Sequence, residues 1–179
     1  MRNWIGPVLF GLIAAAAAAY AAIGGISYGL MHVAVDRFAR IGGLNHMTHG
    51  NLATPERQPV VRPSPDLAYS ACPYDLSAGP LAIDVVPVPG RYSSLSIFDA
   101  ATDVIFVRND VEADGKPYRI IVAREGQAVP AGAEVVRTRH DGGIALIRLL
   151  LKEPAEIGAF EAARRLSSCA TLTKAKPDR

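Results

Sequence analysis

Apolar and polar positions fall into two regimes along the chain, and they meet near residue 36. From Asn3 to Val35 no Asp, Glu, Lys or Arg occurs, a run longer than the about 20 apolar residues that a bilayer-spanning helix needs. It predicts one transmembrane helix within residues 1–38, with Trp4 as an interfacial anchor and Pro7 in the first turn, where a missing N–H does no harm. Arg2 marks one end of the run; Asp36, Arg37 and Arg40 mark the other. A short N-terminus with Arg2 and a large C-terminal part orient such a helix N-in, C-out. The competing reading is a cleaved signal peptide, because "AAAAAAYAAIGG" offers small-residue cleavage sites. The apolar run continues through "IGGISYGLMHVAV", which favours an uncleaved signal anchor. Ala17, Ala21, Gly25 and Gly29 stand at i, i+4 spacing, a row that would let another helix approach, although an alanine run produces such rows by composition alone.

Residues 39–65 carry glycines and prolines without an apolar period and read as a linker, or as an extended segment lying over the domain. His46 and His49 form an H-x-x-H pair there, but a stable metal site needs three or four ligands and no Cys, Asp or Glu follows at suitable spacing. From residue 66 to 172 the pattern becomes short apolar runs cut by turn residues. "LAYSACPY", "PLAIDVVPV", "RYSSLSIFDA", "TDVIFVRN", "YRIIVA", "AEVVRTRH" and "GIALIRLLL" each predict a strand. In "RYSSLSIFD", Tyr92, Ser94, Ser96 and Phe98 alternate with Ser93, Leu95 and Ile97. Asp114-Gly115 and Asp141-Gly142 carry the signal of tight hairpins. The expected fold is mainly β, an antiparallel sandwich or partly closed barrel, ending in a helix opened by Pro154. On that helix, "PAEIGAFEAARRLSSCA", Ala159, Ala162, Leu166 and Cys169 share one face. Residues 173–179 read as a tail.

Charge adds an exclusion. Lys+Arg 19 against Asp+Glu 17 makes no strong field. Arg164-Arg165 and the tail "KAKPDR" are too short and mixed to track a phosphate backbone, so no nucleic acid is expected. No G-x-S-x-G, phosphate loop, H-E-x-x-H or C-x-x-C occurs, and neither a cofactor nor a metal is indicated. Of the two cysteines, Cys72 lies in a predicted strand without a local His or Lys to activate it. In an oxidising compartment Cys72 and Cys169 would pair and tie the ends of the domain together; buried free thiols and catalysis are the alternatives.

The block "PSPDLAYSACPYDLSAGPLAIDVVPVPGRYSSLSIFDAATDVIF" resembles the core of the family known as domain of unknown function 1254. The residues that carry the resemblance are Asp66, Tyr69 and Ser70, the "DLSAGP" turn, and the Arg91-Tyr92 strand ending at Asp99; "VPAG" and "IRLLL" fit further on. The likeness runs from about Pro63 to Leu172. It departs from longer members at "PSPDLAYS", where they carry an Asn and a Thr, and at "AREGQAVPAG", which lacks their tryptophan. The resemblance implies a β-rich sandwich and a bacterial envelope setting, with relatives found beside or fused to domain of unknown function 1214. It implies no reaction.

Two functions remain in view. One is a membrane-tethered, non-catalytic envelope module, single-pass in the inner membrane with its domain in the periplasm, that binds a protein partner by an open strand edge or a sheet face. The other is a periplasmic enzyme or small-ligand binder acting on envelope carbohydrate or lipid, with Asp66, Tyr69, Arg91 and Asp99, and Asp103 beside them, as candidate binding groups. No residue is assigned a catalytic role. Asp at a strand end is more often a turn former.

Overall fold

The structure, a computed structural model, describes residues 4–54 and 63–172. Arg2, the 55–62 part of the expected linker and the 173–179 tail lie outside them.

Helix α1 (Ile5–Gly42) is the one helix among the described residues long and apolar enough to cross a membrane. At about 1.5 Å per residue it is roughly 57 Å long, nearly twice the ~30 Å of a hydrocarbon core. The surplus packs against protein. Met31, Ala34, Val35 and Phe38 rest on Ala71, Ile144, Leu146 and Phe98, whereas residues 5–26 touch little else and are exposed. The helix therefore enters the domain as a docked rod, running on to Gly42 beyond the end the charge pattern suggested.

The remaining elements are β1 (Thr48–His49), β2 (Leu67–Asp75), β3 (Leu81–Val85), β4 (Ser93–Asp99), β5 (Val104–Asn109), β6 (Tyr118–Arg124), β7 (Val135–Thr138), β8 (Gly142–Leu150), α2 (Ile157–Arg164) and β9 (Ser168–Thr171). They form two open sheets, ordered β1-β2-β8-β4-β5 and β7-β6-β3-β9. This is a sandwich and not a barrel. All pairings are antiparallel except β6 with β7. The core between the sheets gathers Tyr74, Leu76, Leu81, Ile83, Leu95, Ile97, Ile120 and Val122, all without solvent exposure. Burying each such side chain is worth about 1.5–3 kcal/mol.

Both flanks of the sandwich are closed by polar bridges. On one, Asn45 Nδ2 donates to the Asp75 carbonyl (2.9 Å) and to Thr171 Oγ1 (2.8 Å), while Asp75 N donates to Asn45 Oδ1. Its positive φ of 55° suits a residue type that tolerates the left-handed region. On the other flank Arg108 forks onto Glu134 and lies over the Phe106 and Tyr118 rings. Cys72 on β2 and Cys169 on β9 are joined across the sheets, with Cα atoms 6.5 Å apart.

Two expectations need correction. The C-terminal helix ends at Arg164, so Cys169 lies on a strand: the polar "LSSCA" leaves the helix, Ser167 Oγ accepts the Val86 N–H, and β9 takes the open edge of β3. The two Asp-Gly turns do not form hairpins. Asp114 and Gly115 adopt the positive φ values expected of the tight turn, 54° and 63°, but the loop joins β5 to β6 in the opposite sheet. Asp141-Gly142 likewise leads from β7 across to β8. A turn signal is local, whereas the choice of sheet is decided by which faces must be buried. Of the two readings of residues 39–65, Thr48 and His49 follow the extended segment lying over the domain, pairing with Ala71 and Ser70 of β2.

Candidate functional site

The residues singled out from the sequence separate to opposite ends of the five-stranded sheet. Asp66 lies in the turn before β2, its carbonyl accepting the Leu151 N–H. Asp99 lies opposite Gly143 at the other end of β8. At about 3.3 Å per residue the two are roughly 25 Å apart along the strand, far beyond the 5–9.5 Å of a carboxylate pair that shares a glycosidic bond. They cannot divide acid and base roles.

The side chains of Asp99, Tyr69 and Arg91 are also engaged locally. Asp99 is buried, and its Oδ1 accepts the N–H groups of Ala101 (2.9 Å) and Asp103 (3.1 Å), the bonds of a turn former. Its Oδ2 lies 3.7 Å from His140 Nε2, which also meets Tyr28 Oη of α1 at 3.3 Å. Tyr69 Oη accepts the Ser64 N–H. Arg91 donates to Glu156 Oε1 (2.5 Å) and covers the Phe160 ring, pinning the segment before α2 to the β3–β4 turn. The N–H of Lys152, then Arg91, hold the Glu156 carboxyl below its ordinary pKa.

A second cluster was not legible from the sequence. His49 Nδ1 meets Ser70 Oγ at 2.8 Å. Beside it the buried Arg164 donates to the carbonyls of Gly50 (2.9 Å) and Tyr69 (3.3 Å) and to Glu161 Oε2. The Arg164 hydrogen bond holds the Glu161 carboxyl below its usual range. A Ser–His contact is the start of a nucleophile–base pair. Ser70, however, is buried with its oxygen taken up by His49, and Arg164 bonds the neighbouring Gly50 and Tyr69 carbonyls. The arrangement clamps β1, β2 and α2 together. Among the described residues no three His, Cys, Asp or Glu side chains converge as a metal site.

The clamp has a pH consequence. Burial, and then the Arg164 and Arg165 guanidiniums, lower the His49 pKa below its ordinary value. The unfolded chain therefore takes up the His49 proton first. The stability tied to the neutral ring is complete above about pH 6.5 and is lost as the pH falls through the depressed folded value. His49→Asn should lose less stability between pH 7.5 and 5 than the parent protein. Urea midpoints at both pH values check this; equal losses would show that His49 does not carry the effect.

One open groove, of about 760 Å³, is lined by Ser77, Gly79 and Pro80 of the β2–β3 turn and by Gln127, Val129 and Pro130 of the β6–β7 loop. Gln127 donates to the Leu76 carbonyl and Arg137 to the carbonyls of Arg124 and Gln127, which fixes the loop. None of Asp66, Tyr69, Arg91 or Asp99 lines it.

Comparison with known proteins completes the description. A family model described as a protein of unknown function (DUF1254) matches residues 44–173. No curated protein matches the chain. The crystal structure of the VPA0106 protein from Vibrio parahaemolyticus is similar, with a TM-score of 0.66 at 18% identity. The likeness covers 88% of this chain but 41% of that one, so the chain spans less than half the length of its structural relative. A structure of an uncharacterized protein from Burkholderia cenocepacia gives a TM-score of 0.45 at 19% identity, covering 62% of this chain and 33% of that one.

Proposed function

The chain belongs to the DUF1254 family of proteins of unknown function, and from that membership we propose that it is a membrane-tethered, non-catalytic module of the bacterial envelope that binds a partner protein. The observation that carries this reading is the edge strand β5. It is paired on one side only, by β4, and it presents Val104 and Val107 half-exposed, with Val111 just beyond. An edge strand with exposed apolar side chains is a template for another strand. The docked helix supports tethering, and a disulfide suits the periplasmic side of a single-pass inner-membrane protein. The family resemblance points to a protein of the companion domain of unknown function 1214 family as the partner.

The test is extraction of the tagged full chain in mild detergent and quantitative mass spectrometry of what accompanies it, compared with Val104→Lys/Val107→Lys. A partner in near-equal amount should fall at least tenfold with the double variant, whose melting should change little because exposed substitutions cost within about 0.5 kcal/mol each. A partner retained at full level, or none with the parent protein, would sink the proposal. A reporter fused after residue 179 that reads cytoplasmic would overturn the topology.

One observation favours a second reading. The groove between the β2–β3 turn and the β6–β7 loop is built from the same "DLSAGP" and "VPAG" motifs that carry the family likeness. It supports a small-ligand binder acting on envelope carbohydrate or lipid.

A further inference from the structure

On the outer face of the five-stranded sheet, register sets Tyr69, Arg148, Ser94 and Asn109 side by side on β2, β8, β4 and β5. Ser96, two residues along β4, shares that face. The docked part of α1 covers the apolar rows next to it, Ala71, Leu146, Ile144 and Phe98.

Arg148 is out of keeping with the other arginines. Among the described residues four arginine side chains are largely covered: Arg91, Arg108, Arg148 and Arg164. Three of them hold a carboxylate, Glu156, Glu134 and Glu161. Arg148 holds a single hydroxyl, donating from Nη2 to Ser96 Oγ at 2.7 Å. Its Nε is buried without a partner. So is Ser94 Oγ, in a residue only 3% exposed directly across the strand pair. A charge this covered normally has a counter-charge, and a buried donor without an acceptor costs free energy. Two such groups side by side define a place where an acceptor belongs.

From these observations we infer that Arg148, Ser94 and Ser96 form an oxyanion site, which takes a carboxylate or phosphate group. A guanidinium presents parallel N–H donors that match the two oxygens of such a group. The hydroxyls of Ser94 and Ser96 supply further donors, and the sheet backbone holds all three on rigid strands. Ser96 occupies the guanidinium while no anion is bound and gives it up when one arrives. The site neighbours the β5 edge, whose Asn109 and Val107 pair with Ser94 and Ser96, but it uses no β5 side chain and lies apart from the groove, and its argument rests on neither functional reading.

The test uses the full chain in nanodiscs of neutral lipid. Inorganic phosphate is titrated while circular dichroism follows melting, against sodium chloride at matched ionic strength. Phosphate should raise the melting temperature saturably and chloride should not. Arg148→Gln should weaken the apparent affinity at least tenfold, with Arg148→Lys between it and the parent. Ser94→Ala is the discriminating variant. Without phosphate it should melt at the parent temperature or above, because it removes an unpartnered hydroxyl, and yet its apparent affinity should fall about threefold or more. A parallel series in nanodiscs containing anionic lipid separates the sources. An Arg148-dependent stabilisation seen there, and absent with free phosphate, assigns the anion to a headgroup. The proposal is overturned if neither source stabilises the parent protein, or if Arg148→Gln and Ser94→Ala respond as the parent does.

Discussion

Replacing both Cys72 and Cys169 by alanine, or reducing their bond, is expected to lower the melting temperature of the domain by roughly 10–20 °C. The bond closes a loop of 97 residues, and the chain-entropy model gives about 4.7 kcal/mol for a loop of that order; native disulfides lost from small domains typically cost 2–5 kcal/mol. Its position adds to the loss. β9 is a four-residue edge strand paired with β3 alone, and the disulfide is the covalent tie between that strand and the opposite sheet. Without it, β9 should fray first, taking with it the Thr171 acceptor of Asn45. Melting with and without reductant, alongside alkylation of the unfolded chain to count free thiols, checks both points. A drop of less than about 3 °C with fully reduced thiols would refute the assignment of this bond as the main staple.

The strands were legible where apolar runs of four to nine residues ended at Gly, Pro or Asp, because burial of one or both faces leaves a local trace. Leu67–Asp75 and Tyr118–Arg124 are such cases. Strand β9 left no trace of that kind. "SSCA" continues the helical spacing of Ala159 and Ala162, and only the open edge of β3 makes it a strand. The docking half of α1 was hidden for a related reason. An apolar residue that faces lipid and one that faces a sheet look alike, so Met31 and Phe38 read as part of the span when they pack on Ala71 and Phe98. Asp66 and Asp99 were nominated as polar residues around the family-like strands, and the register of β8 puts them at its two ends. Arg148 and Ser94 were invisible because their interest lies in a missing partner, which exists only once the strands are aligned.

Gly143→Ala should destabilise the domain by about 3 kcal/mol, the upper end of the usual cost of overpacking a rigid interior. Gly143 lies on β8 between Tyr74 of β2 and Asp99 of β4. A Cβ there would collide with the carbonyl oxygen of Phe98 and with the hydroxyl and ring of Tyr74. Tyr74 has no exposed surface, its hydroxyl donates to that same Phe98 carbonyl at 2.9 Å, and burial raises its pKa well above the ordinary value. The bare glycine is therefore the space in which a core tyrosine finds its one acceptor. A companion variant separates the two collisions. Tyr74→Phe alone should cost about 1 kcal/mol, the worth of a typical hydrogen bond. Combined with Gly143→Ala it should recover only part of the loss, because the clash with the Phe98 backbone persists. Denaturant midpoints for the two single variants and the double variant form the cycle. Full recovery in the double variant would place the whole conflict on the tyrosine hydroxyl; a Gly143→Ala protein as stable as the parent would show that β4 and β8 can part at this point, against the close register that holds Asp99 in its turn.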